Sequence, residues 1–156
     1  GDAVPIWIPV VLVYAAARVF ELLIYQVDVL LFAAYRARES GQTYAVNSYL
    51  RLVVLALCNY AECLLWFACV YCIAHEHFSA STPALGAVCG ALYFSVVTVT
   101  TLGYGDIHPA DGTSASIVMI QSAVGFVMTL MILARFLGLL RTPETDDPHE
   151  KPPNKA

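Results

Sequence analysis

Residues 98–106 read Thr98-Val99-Thr100-Thr101-Leu102-Gly103-Tyr104-Gly105-Asp106, and the whole chain is organised around how this stretch is read. It follows an apolar segment, residues 84–99, that Pro83 suits for a helix start but that is too short to cross a bilayer before the turn at Gly103. A half-length helix ending in a glycine-containing loop at membrane depth is a re-entrant element. Such backbone is tolerated only where it is buried in protein or lines a water-filled cavity. Glycine cheaply adopts conformations closed to other residues, so Gly103 and Gly105 allow successive carbonyls to point the same way. The C-terminal end of the short helix carries partial negative charge, which favours a cation beyond it.

Working outward, the composition places this element in a membrane. The chain has 156 residues, 59% hydrophobic and 13% charged, with mean hydropathy +0.68. Soluble domains average about 45–50% apolar and about 25% charged. Three apolar blocks stand out, residues 4–35, 52–74 and 113–140. A spanning helix needs about 20 residues for a core of about 30 Å, and the second and third blocks pass easily. A net charge of −4 gives no basic patch for nucleic acid.

No Lys or Arg occurs between Arg51 and Arg135. Arg36, Arg38 and Arg51 precede the second block, and Arg135 and Arg141 close the third. The positive-inside bias makes both flanks cytoplasmic and the segment between them external. That segment carries Glu76, Asp106 and Asp111, and acid at a mouth concentrates cations. The five cysteines, Cys58, Cys63, Cys69, Cys72 and Cys89, lie in or beside apolar blocks and read as packing residues. His75 extends the spacing of Cys69 and Cys72, with Glu76 and His77 alongside, but helix packing explains it better than a soft-metal site. His75, His77 and His108 near the outer mouth are titratable, though a solvated loop is the simpler reading. Gly1 is not an initiator methionine, as expected of a trimmed or processed start.

With this frame in place, Thr101-Leu102-Gly103-Tyr104-Gly105 resembles the selectivity-filter signature of the tetrameric potassium channels. The likeness extends through Tyr93-Phe94-Ser95-Val96-Val97-Thr98 before it and Asp106-Ile107-His108-Pro109 after it. The resemblance implies K+ bound by oxygens of Thr101, Leu102, Gly103 and Tyr104, with Gly105 completing the filter, and support from Tyr93, Phe94, Val97 and Asp106. Two departures matter. Leu102 stands where the family usually has valine, and Val97 stands where the best-known bacterial two-helix channel has a buried acid. Asp106 is therefore expected to hydrogen-bond to Tyr93, and Tyr104 to brace against Tyr93 or Phe94. Gly125 resembles the family's hinge glycine, with close helix packing as the equal alternative. On that alignment Phe126, Thr129 and Leu133 face a central cavity and Ala134 lies near the inner constriction.

The first block is expected to be a peripheral spanning helix. It holds too few arginines for a voltage sensor, and its polar stripe of Tyr14, Arg18, Glu21, Tyr25 and Asp28 is narrow. Arg18 lies halfway along it and Glu62 halfway along the next helix, so Arg18 is expected to pair with Glu62, or with Glu21 one turn away.

The reading is thus an all-α membrane protein assembled as a homotetramer among membrane lipids. Residues 1–43 form the N-terminal helix and a cytoplasmic connection. Residues 44–141 form a pore module, with outer helix 44–74, pore helix 84–99, filter 101–105 and inner helix 113–140. Residues 142–156 form a polar, proline-rich disordered tail. The expected function is passive, selective K+ conduction in the plasma membrane with the filter outside, with no cofactor and no enzymatic chemistry. The rivals are a transporter, which would resemble four fused repeats, a non-conducting regulatory or partner-binding subunit, and a weakly selective cation channel, which usually loses the Tyr104 position.

Overall fold

The structure, a computed structural model, describes residues 5–31, 47–80 and 87–139. The connection read at 36–43, the helix start at Pro83 and the tail from 142 lie outside the described residues. The elements are α1 (Trp7–Leu31), α2 (Asn47–Ile73), a 3-10 turn (His75–His77), β1 (Phe78–Ala80), α3 (Ala87–Val99), β2 (Ile107–Pro109) and α4 (Gly112–Leu139). The chain is mostly helical. Among the described residues, three helices are long and apolar enough to cross a membrane: Trp7–Val29, Arg51–Ile73 and Gly112–Leu137. The 13 residues of α3 rise only about 20 Å, short of a hydrocarbon core of about 30 Å.

In hydrocarbon, apolar burial does not drive helices together, so close packing and polar contacts must hold them. Helix α2 touches all three other helices, and α3 lies against both α2 and α4. The packed centre joins Leu22 of α1, Phe67 and Tyr71 of α2, Ala91 and Phe94 of α3, and Val124 and Met128 of α4. Small residues at the interfaces, Ala15 and Ala56 among them, are buried and let backbones approach. Large apolar side chains such as Phe20, Phe126 and Leu133 are exposed on a single chain. Surfaces of that kind face lipid or other protein.

Helix α1 is anchored to α2 by the charges its sequence singled out. Arg18 Nη2 donates to Glu62 Oε1 at 2.6 Å, and Nη1 donates to Glu21 Oε2 at 2.7 Å. Trp66 Nε1 donates to the same Glu62 oxygen at 3.3 Å, and Tyr14 packs edge-on against Trp66. Both expected partners are therefore engaged at once. Arg18 and Glu62 are each the twelfth residue of a 23-residue span (18 − 7 + 1 and 62 − 51 + 1). They meet at the middle of both candidate spans, the depth at which an unpaired charge in a bilayer is most expensive. At the other end of the bundle the buried Arg135 of α4 donates to the carbonyls of Leu52 at 3.1 Å and Gln26 at 3.4 Å, tying α4 to both α2 and α1.

The segment read as a plain external loop is partly ordered. Phe78–Ala80 pairs antiparallel with Ile107–Pro109 in the register Phe78 with Pro109, Ser79 with His108 and Ala80 with Ile107. Phe78 drops its ring onto Tyr71 and Phe94 at centroid distances of 5.2 and 5.3 Å.

The Arg18–Glu62 pair generates a charge-swap test. Arg18→Glu is expected to place three acids together and to remove most of the correctly assembled protein from detergent extracts. The double swap Arg18→Glu with Glu62→Arg should recover a large part of it, as read by size exclusion. No recovery would mean that the Arg18–Glu62 contact does not hold α1 in place.

Candidate pore site

The site is built from the C-terminal end of α3 and the loop that leaves it. The Thr101 N–H bonds the carbonyl of Thr98 at 3.1 Å, and the Leu102 N–H bonds that of Val97 at 3.0 Å. This is the paired ending in which the residue just past the helix takes the left-handed conformation, a position that usually belongs to glycine. Here it belongs to Thr101, at φ +60°. A β-branched residue there costs about 1–2 kcal/mol, and strained residues of this kind cluster at functional sites.

The same handedness recurs at every second residue. Gly103 has φ +53° and Gly105 φ +76°, while Leu102 and Tyr104 between them keep negative φ. A regular strand sends successive carbonyls to opposite sides. Alternating the sign of φ turns every second peptide over, so that the carbonyls line up on one side. A Cβ added at Gly103 or Gly105 would meet nothing within 4 Å in its own chain, so the requirement for glycine is one of backbone conformation rather than room.

Around this loop the supporting side chains divide into two groups. Tyr93 donates its hydroxyl to Asp106 Oδ2 at 2.8 Å, the hydrogen bond expected from the sequence, and Asp106 Oδ1 accepts the Ile107 N–H at 3.1 Å. Tyr104 stands 67% exposed on the single chain. Phe94, read from the sequence as a filter support, belongs to the core, its ring centroid 4.9 Å from that of Tyr71. Val97 is buried.

Behind the pore helix lies a polar joint that the sequence reading missed. Gln121 of α4 is fully enclosed and donates its amide to Ser95 Oγ at 2.8 Å and to the Ser95 carbonyl at 3.0 Å. Ser95 Oγ donates in turn to the Leu64 carbonyl of α2 at 2.8 Å. The Tyr71 hydroxyl donates to Gln121 Oε1. One glutamine thus joins α2, α3 and α4. A polar residue isolated in an apolar block was the available signal, since such groups inside membranes seek partners across helices.

Gly125 is buried against the end of α3. A Cβ there would overlap the Val99 Cγ2 methyl, with Val99 Cβ at 3.6 Å and Cα at 3.7 Å behind it. Close approach of the inner helix to the base of the loop accounts for this glycine, so of the two readings the structure favours packing. Phe126, Thr129, Leu133 and Ala134 are all exposed on the single chain. Thr129 Oγ1 bonds back to the Gly125 carbonyl at 2.8 Å.

A family model described as an ion channel matches residues 58–142, more than half of the chain. The chain belongs to this ion-channel family. With three apolar helices of spanning length, it is a multi-pass membrane protein. It is 31% identical over 100 residues to the "Two-pore potassium channel 4" of Arabidopsis thaliana, covering 64% of this chain and 34% of that protein. It is 31% identical over 80 residues to the "Hyperpolarization-activated voltage-gated potassium channel" of Methanocaldococcus jannaschii, covering 51% and 34%. "Protein LctB" of Bacillus caldotenax is 34% identical over 85 residues, covering 49% and 63%. The matches span about a third of the length of the first two relatives. No solved structure matches the channel chain.

Two substitutions test the joint around α3. Gln121→Leu is expected to destabilise the channel by about 1–3 kcal/mol, because it leaves the buried Tyr71 hydroxyl unpaired. Adding Tyr71→Phe should recover most of that loss, as measured by denaturant midpoints in detergent. Gly125→Ala should disturb Val99 and lower stability. An unaltered midpoint with altered opening would restore the hinge reading.

Proposed function

We propose that four copies of the chain surround a single pore that conducts K+ passively and selectively. Carbonyls of Thr101, Leu102, Gly103 and Tyr104, with the Thr101 hydroxyl at the inner end and Gly105 completing the row, take the place of the ion's hydration shell. One loop supplies a quarter of each oxygen ring, so the assembly is a four-fold homotetramer. The observation that carries this reading is the recurrence of positive φ at Thr101, Gly103 and Gly105, which aims consecutive carbonyls at one line. The names of the plant and archaeal relatives support the choice of ion.

On this reading the Tyr93–Asp106 hydrogen bond, with Val97 behind it, fixes the outer half of the filter. Tyr104, exposed on one chain, is available to pack against a neighbouring copy. Phe126, Thr129, Leu133 and Ala134 line the inner cavity and its constriction, and Gly125 seats the inner helix beneath the filter. The arginines flanking α2 and α4 support an external filter through the positive-inside bias, and the membrane we propose is the plasma membrane. Passive conduction of this kind uses no covalent chemistry and no cofactor.

Reconstituted flux tests the reading. The expected reversal potential lies near the potassium equilibrium value, and one that tracks chloride, or sodium and potassium equally, would overturn it. A conducting assembly with the mass of a dimer would overturn the tetramer. Gly103→Ala imposes about 1–2 kcal/mol of left-handed strain in every copy and should abolish selective current while the helices still insert. Persisting selectivity in that variant would mean that the carbonyl row is not the selecting element.

A further inference from the structure

A second connected point lies at the outer mouth, where His77 holds three segments together. Its N–H donates to the Ala74 carbonyl at the end of α2 at 2.9 Å, and its carbonyl accepts the Ala110 N–H at 3.0 Å. Its Nδ1 lies 2.5 Å from Asp111 Oδ2. Asp111 is itself committed. Its Oδ1 accepts the Ser114 N–H at 2.8 Å, while Ser114 Oγ accepts the Asp111 N–H at 3.2 Å. That reciprocal arrangement caps the start of α4. Between Gly105 and Asp111 runs the strand Ile107–Pro109, paired with Phe78–Ala80 next to His77. The exit from the filter is therefore pinned by the ribbon at one point and by the His77–Asp111 contact at the next.

Resting on the channel reading above, we propose that His77 and Asp111 form a proton-operated clasp. With the imidazole protonated, it holds residues 105–110 in the shape that conducts. Histidine is the side chain that changes charge between pH 5 and 8. Asp111 does not change across that window. Its bonds to the Ser114 backbone N–H, to His77 and to the Ser114 hydroxyl hold its carboxyl down at about 2. The sign follows from these two facts. A protonated imidazole sets a cation against that carboxylate and a neutral ring does not, so the clasp is strongest in acid and loosens as pH rises. The other titratable or charged groups on the elements around His77 are His75 and Glu76 on its own turn, Tyr71 and Cys72 at the end of α2, and Asp106 and His108 on the exit segment. His75 is turned back to the Cys72 carbonyl at 3.2 Å, and His108 sits opposite Ser79 in the ribbon. Both clasp side chains are about half exposed, at 52% and 42%, so protons reach them from solution and the strength is that of a surface pair.

An exposed pair of this kind shifts an equilibrium about twofold to fivefold, and the factor multiplies where four clasps act on one pore. The test records steady-state potassium current in planar bilayers while the filter-side pH is stepped from 8.5 to 5.5. In parallel, hydrogen exchange of the Ala110 amide is followed in nanodiscs and corrected for its intrinsic pH dependence. The conducting fraction and the Ala110 protection are both expected to rise on acidification by at least the single-clasp factor. Both responses should vanish in His77→Gln, which should keep the native oligomer mass. A current response of undiminished size in His77→Gln would overturn the proposal and move the sensor to His75, His108 or Asp106. Protection that ignores pH in the unmodified protein, or that changes while a measurable current does not, would also overturn it. If no current is seen at any pH, the conduction reading fails by itself. Acid-dependent protection lost in His77→Gln would then still uphold the clasp as a proton site.

Discussion

A short helix that stops inside a membrane has no lipid-water boundary to position it, so its place must be fixed from the side. In this channel the Gln121 side chain does that. It is sealed among three helices, and its amide holds Ser95 at the middle of α3 while its oxygen takes the Tyr71 hydroxyl of α2. Away from water an unmade hydrogen bond is costly, so a satisfied network of this kind enforces one arrangement of the helices. The tilt and depth of α3 follow from it. The loop from Thr101 to Gly105 begins wherever that helix ends. The aromatic cluster of Tyr71, Phe78 and Phe94 shares its tyrosine with the same network, and through Phe78 it carries the constraint to the outer ribbon.

Two kinds of backbone requirement meet at the base of the loop. The helix ends on Thr101 rather than glycine, so a β-branched residue is held in the left-handed region by its bond to Thr98 and by that of Leu102 to Val97. Just beside it, Gly125 lets α4 come close enough to touch Val99. A threonine at the strained position keeps a hydroxyl where glycine would have none. The chain thus accepts local strain at Thr101, with α4 packed close beside it at Gly125.

Much of this was legible in the sequence because the membrane simplifies the problem. Hydropathy located two spans directly and the narrow polar stripe argued for a third, and counting residues placed Arg18 and Glu62 at one depth, which left Glu62 or Glu21 as the partner of Arg18. The Tyr93–Asp106 bond was expected from the family resemblance, because Val97 stands where a related channel has a buried acid and Asp106 then needs another partner. The Gln121 joint did not follow, because its partners lie 26 and 50 residues away and one glutamine in an apolar block does not say which neighbour it will find. The ribbon was missed because three-residue strands give too little alternation to detect. Phe94, expected as a filter support from the motif match, packs against Tyr71 and Phe78 in the core, a contact that no local pattern announces. The left-handed Thr101 runs against the propensity of its own side chain and could only be seen in the folded backbone.

The charge cluster on α1 has a consequence for how the channel is made. A chain synthesised from its N-terminus delivers Arg18 to the membrane 44 residues before Glu62. During that interval the acid within reach on its own helix is Glu21, one turn further along and already bonded to it in the finished fold. Glu21 is thus placed to neutralise the arginine before Glu62 is made, and in the finished fold Arg18 bonds both acids at once.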